Sequence, residues 1–113
     1  MRIVDRATFL DLPAGTVYAK WTPPEFGELS IKCETCLSGK DWIYQSLDML
    51  EGDSPIDSLL SLDAGNELSV DMEFTDRDGF YEPDMRFAVW SPKDVQALIL
   101  RLEKAASDVR AAQ

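Results

Sequence analysis

Apolar and polar residues alternate with the period of a strand in five stretches of this chain and recur at helical spacing in two others. In "TVYAKW", Val17, Ala19 and Trp21 alternate with Tyr18 and Lys20. "LSIKC" sets Leu29, Ile31 and Cys33 on one face and Ser30 and Lys32 on the other. After an "SGK" turn, "DWIYQSL" reads as a third strand, with Trp42 and Tyr44 opposite Ile43, Gln45 and Leu47. The cleanest alternation is "ELSVDMEFT", where Leu68, Val70, Met72 and Phe74 point inward and Ser69, Asp71 and Glu73 outward. "DRDG" then makes a tight hairpin, and "MRFAVW" returns as a fifth strand. "TPPEFGE" must be a loop, since consecutive prolines supply no ladder donors and restrict the residue before them.

The helices announce themselves by their ends. Asp5 caps a short one through "RATFLDL", which "PAG" terminates. In "DSPIDSLLSLDAGN", Ser54 or Asp53 caps, Pro55 fits the first helical position, and Gly65 suits a left-handed C-terminal residue. Its stripe of Ile56, Leu59 and Leu60, extended by Leu62, is expected to be buried. The last helix starts at Ser91, Pro92 and Asp94, the layout of a capping box. Val95, Leu98, Ile99, Leu102, Ala105 or Ala106, and Val109 form its apolar stripe, which is expected to lie on the sheet. The order is helix, three strands, helix, two strands, helix. It predicts a single α+β domain over residues 1–113, with a mostly antiparallel sheet of about five strands and a long C-terminal helix packed on it.

Charge changes the picture more than composition does. The 113 residues carry −10 at neutral pH. Residues 41–84 hold 13 acids and one base, Arg77, so all the excess lies mid-chain. Phosphate binding needs Lys and Arg, so direct contact with nucleic acid is not expected there. A basic protein surface is the natural complement. Asp71, Glu73, Asp76, Asp78, Glu82 and Asp84 would line one strand and hairpin like a row of phosphates. With 45% hydrophobic residues but no apolar run near the roughly 20 needed to span a bilayer, a soluble protein is expected. The charged start "MRIVDRATFLDLP" does not read as a signal peptide, which points to the cytoplasm and to reduced thiols.

Other chemistry is thin. Cys33 and Cys36 form a C-x-x-C, but the chain has no histidine to complete a structural zinc site. Nor does a helix follow the pair to lower a thiol pKa. Two small structural thiols are the favoured reading, and a metal site the weak alternative. "DRDGFYEPD" fails calcium-loop spacing, because Gly79 arrives at position four. Without histidine there is no Ser-His or Cys-His pair, and no glycine-rich phosphate loop is present. Neither an enzyme nor a cofactor is expected. The aromatics exceed what one small core needs, so Trp42 and Tyr44 are candidates for an exposed interface.

"MRIVDRATFLDLPAGTVYAK", "FGELSIK", "DGFYEPDMRFAVW" and "DVQALILRLEKA" together resemble a group of short proteins encoded by bacteriophages and prophages. The resemblance spans nearly the full length and implies a viral accessory protein acting in the host cytoplasm. The functional expectation is a non-enzymatic binder and inhibitor of a host protein. Its acids would meet a basic, nucleic-acid-binding surface in the manner of an anti-CRISPR or other anti-defence protein. The alternatives are a homodimeric structural or virion-associated module using the aromatic faces, and a small metal-binding protein built on the cysteine pair.

Overall fold

Residues 1–113 are described by a computed structural model. Seven strands form one sheet: β1 (Arg2–Val4), β2 (Val17–Thr22), β3 (Glu25–Phe26), β4 (Ser30–Cys36), β5 (Asp41–Ser46), β6 (Asp76–Arg77) and β7 (Arg86–Val89). Three helices accompany them: α1 (Arg6–Leu10), α2 (Pro55–Asp63) and α3 (Pro92–Ala112). The strand order is β1-β7-β2-β4-β5-β6 with β3 added to β2, and every pairing is antiparallel. The α+β class and the antiparallel sheet are as the sequence pattern predicts. No helix is long and apolar enough to cross a membrane.

One face of the sheet carries the core. Cross-strand register aligns Val4 with Phe87, Phe87 with Lys20, Tyr18 with both Val89 and Ser30, and Lys32 with Tyr44. Helix α1 is short, but Asp5 fixes its start by accepting the Thr8 N–H at 2.8 Å. That start aims Phe9 into the centre. Phe9 stacks on Phe87 at 4.0 Å and meets Tyr18 and Trp42 edge-on at 4.7 and 5.0 Å. Trp42 is 0% exposed, and its indole N–H donates to the Tyr18 hydroxyl at 2.9 Å. Trp42 therefore belongs to the core, which overturns the expectation that it presents an exposed interface; Tyr44 is half-buried against the same cluster.

The remaining differences from expectation have local causes. The clean alternation at 68–74 does not form a strand. It makes one isolated bridge, Leu50 with Val70, supported by hydrogen bonds from Glu51 N–H to Ser69 O and Asp71 N–H to Met49 O. Asp71 Oδ1 accepts the Glu73 N–H at 2.9 Å, an aspartate turn that competes with extension. "DRDG" does not close a hairpin either. Following the antiparallel pairs from β6 through β5, β4 and β2 to β7 gives β6 and β7 the same direction, so the connection is a crossover. Residues 78–85 cross the core face as a strap.

The strap and α1 fill the core face, and this leaves α2 and α3 with their stripes uncovered. Both helices form where the end signals place them. Ser54 Oγ accepts the Asp57 N–H, and Ser91 with Asp94 makes the full capping box. Yet α2 buries only Ser58, and α3 buries nothing. The expectation that the long C-terminal helix packs on the sheet fails. Its first turn engages the body through Asp94, 2.7 Å from the Met1 amino group, and Val95 lines a cleft with Leu12 and Trp90. The radius of gyration is 16.3 Å, against ~13 Å for a close-packed chain of this length.

Candidate functional site

The six carboxylates expected to form one acidic row are divided by the strap. Asp78 is only 9% exposed and lies 2.8 Å from the Lys20 ammonium. Glu82 lies 3.1 Å from the same nitrogen. Lys20 is partly buried, which works against its charge. The hydrogen bonds and field of Asp78 and Glu82 outweigh that and hold its pKa above the ordinary lysine value. The lysine also sits 4.7 Å over the Phe80 ring. Asp41, fully buried on β5, anchors the start of the strap: it accepts the Gly79 N–H at 3.0 Å and lies 3.4 Å from Arg77. Arg77 in turn donates to the Tyr81 hydroxyl at 2.8 Å. Gly79 at φ +72° makes this turn without a Cβ penalty.

Asp78 is thus an internal fastener that cannot meet a partner, whereas Glu82, with its side chain 43% exposed, holds the same lysine from the surface. Of the others, Asp76 lies at the sheet edge, where its Oδ1 accepts the Arg77 N–H. Asp71 is half-buried and Glu73 exposed beside it, while Asp84 is exposed at the far end of the strap. Beneath the strap is a cavity of about 230 Å³, lined in part by Tyr18, Lys20, Ser30, Tyr44 and Asp78. Burial, the dominant cause, pushes both phenols above the ordinary tyrosine value.

The cysteine pair straddles a β-bulge. Lys32 faces Tyr44 and Thr35 faces Trp42, so β4 carries one residue more than β5 between those pairs. Lys32 precedes the bulge and shares the core face with Ser30 by plain alternation, so it is 1% exposed, while Cys33 and Cys36 are half-buried and free. The core position expected for Cys33 is therefore filled by its neighbour. Lys32 donates to Thr35 Oγ1 at 2.8 Å and to the Cys33 carbonyl at 3.2 Å, with no carboxylate in reach. Loss of water lowers its pKa, and the adjacent thiols offset this only in part. No cluster of three or more His, Cys, Asp or Glu side chains has the geometry to hold a metal ion.

The concentrated acid lies elsewhere, in the excursion 47–75 between β5 and β6. It carries Asp48, Glu51, Asp53, Asp57, Asp63, Glu67, Asp71 and Glu73 and no lysine or arginine. All but Asp71 are exposed. The lobe is held to itself by small polar contacts. Ser58 Oγ donates to the Glu51 carbonyl at 3.1 Å, and a Cβ on Gly52, which sits at φ +139°, would come within 2.3 Å of Ser58 Oγ. Because Ser58 takes the inner face of α2, the leucines turn outward. Ile56 is 70% exposed, and Leu59 and Leu60 are comparable. Met49, Leu50, Pro55, Leu59 and Leu62 line an apolar cleft of about 250 Å³ with Asp48 at its rim. Sequence reading placed the apolar residues of this lobe in the core and so missed the cleft. The available signal was the base-free run from Asp41 to Asp76, ended by Arg77.

No protein-family model matches the chain, and neither the curated proteins nor the solved structures include a match to it.

Proposed function

We propose that this protein is a small non-enzymatic binding protein whose acidic 47–75 lobe grips a basic protein surface. The observation that carries the reading is the coincidence, on one excursion, of eight carboxylates without a base and an outward-turned apolar helix beside a cleft. Charge of one sign on a protruding lobe steers encounter with the opposite sign. Exposed leucines around an apolar cleft supply the anchors that a partner would desolvate to hold the encounter complex. A partner surface built for phosphates would meet the carboxylates and lose access to nucleic acid. This is the inhibitory role expected of a phage accessory factor acting on a host protein. Asp71, Glu73 and Asp76 contribute from the edge of the lobe; Asp78, buried against Lys20, does not.

Affinity capture from host extract, followed by mass spectrometry and competition with duplex nucleic acid, tests the proposal. The expected catch is a basic protein released by added salt and displaced by nucleic acid. Leu59→Asp, or combined Asp53→Asn, Asp57→Asn and Asp63→Asn, should abolish capture, while Asp84→Asn should leave it intact. Capture that survives the lobe variants, or that ignores salt and nucleic acid, overturns it.

A further inference from the structure

We propose that α3 is an association arm that pairs antiparallel with α3 of a second copy of this chain. The helix buries no residue in its own chain, although Ile99, Leu102 and Val109 are apolar and exposed. Along it, Val95, Leu98, Leu102, Ala105, Val109 and Ala112 recur at alternating steps of three and four, an unbroken a/d seam. The seam runs for about 27 Å at 1.5 Å per residue.

Self-complementarity identifies the occupant. In the antiparallel register that overlaps the whole seam, Leu98 lies across from the partner's Val109 and Leu102 from the partner's Ala105, while Val95, half-covered by its own body, meets the partner's Ala112 at the end. Valine or leucine then sits beside alanine in the end and central layers, as close packing requires, and Leu98 packs on Val109 between them. The same register places Arg101 opposite the partner's Asp108, and by symmetry Asp108 opposite the partner's Arg101. Asp108 is already 2.9 Å from Lys104 on its own helix, and both are exposed, so its carboxylate is accessible to a second cation. Ile99 meets the partner's Ala106 on the other flank. A parallel pairing forfeits all of this: Arg101 would face Ala106, and Ala105 would face itself across a void.

The charge distribution favours the same partner. Helix α3 has four bases and three acids, whereas the chain before it has seven bases and 18 acids. Two bodies of that charge repel each other, and the arms are the surface on which they can meet without that cost. Antiparallel arms place the bodies at opposite ends of a helix pair about 31 Å long. The acidic lobes stay free.

Sedimentation equilibrium across the micromolar range tests the pairing on the full chain. The expected result is a reversible dimer, reduced to monomer by Leu102→Asp with the near-ultraviolet signal of buried Trp42 unchanged. Arg101→Glu or Asp108→Arg alone should weaken association about tenfold, and the double variant should return it to within about threefold of wild type. A monomer throughout the range overturns the proposal. So does a dimer in which the two reversals add instead of compensating.

Discussion

Phe9 and Leu102 are both large apolar residues on helix faces, and the fold treats them oppositely. Helix α1 has five residues and would not persist alone, yet it places Phe9 at 0% exposure among Tyr18, Trp42 and Phe87. Helix α3 has 21 residues and a complete capping box, yet Leu102 is 58% exposed. Helix quality and helix burial are separate properties. Burial follows from where the connections carry an element. Asp5 joins β1 directly to α1 and keeps it over the sheet, whereas the strap has already occupied the rest of that face when the chain reaches Ser91.

The largest effect expected from this contrast is on stability. Phe9→Ala should destabilise the fold by about 3–5 kcal/mol, whereas Leu102→Ala in dilute protein should change it by no more than about 0.5 kcal/mol. Urea denaturation of the two variants side by side measures the difference. Comparable losses would mean that α3 is packed against the body in solution.

Two lysines sharpen the comparison within the sheet. Lys20 and Lys32 lie on neighbouring strands of the core face, but Lys20 has two carboxylates and Lys32 has none. Lys20→Met leaves Asp78 almost buried with only the Phe80 N–H and no cation, which should cost about 1–3 kcal/mol and free the 78–85 strap to amide exchange. Because the pKa of Lys20 is raised in the fold, its contribution is complete below 10.5 and disappears as pH rises through the raised value. Thermal midpoints of the wild type should therefore fall at strongly alkaline pH. The variant should start lower and keep only the shallower fall due to ionisation of Tyr18 and Tyr44, whose pKa values are raised by burial.

Lys32→Met should have the smallest effect and the opposite sign, leaving stability unchanged or raising it by up to about 1 kcal/mol. The fold disfavours the charged form of Lys32, so wild-type stability gains from this residue as pH rises from its lowered pKa towards 10.5. A loss on Lys32→Met comparable to that of Lys20→Met would show that the hydrogen bonds to Thr35 and Cys33 matter more than the cost of burying the charge. Denaturation midpoints of both variants at neutral pH decide it.

Much of the local structure is legible in the sequence. Asp5, Ser54, Ser91, Pro55 and Pro92 mark helix starts through contacts made within a few residues, and those contacts are in place. Strands β2, β4, β5 and β7 fall where alternation puts them, because each gains neighbours on both sides. The candidate site was less legible. Alternation at 68–74 is indistinguishable from that of a strand until the partner is known, and the ladder there ends after a single bridge at Val70. The acidity of Asp78 is visible in the sequence, but its capture by Lys20, 58 positions earlier, is not. Alternation likewise places Lys32 on the polar side of β4, although that side faces Phe9.

By itself, then, the sequence determined the class of fold, the caps, most of the strands and the base-free acidic stretch, since each depends on spacing along the chain. Only the tertiary structure decided which sheet face became the core, that Trp42 lies inside it, that Asp78 fastens a strap, and that the leucines of α2 and the stripe of α3 face outward. The strap and the outward stripes follow from the crossover from β6 to β7, and Trp42 lies inside because α1 sets Phe9 against it. A crossover is a long-range choice, and an apolar stripe carries no label for the surface that will cover it.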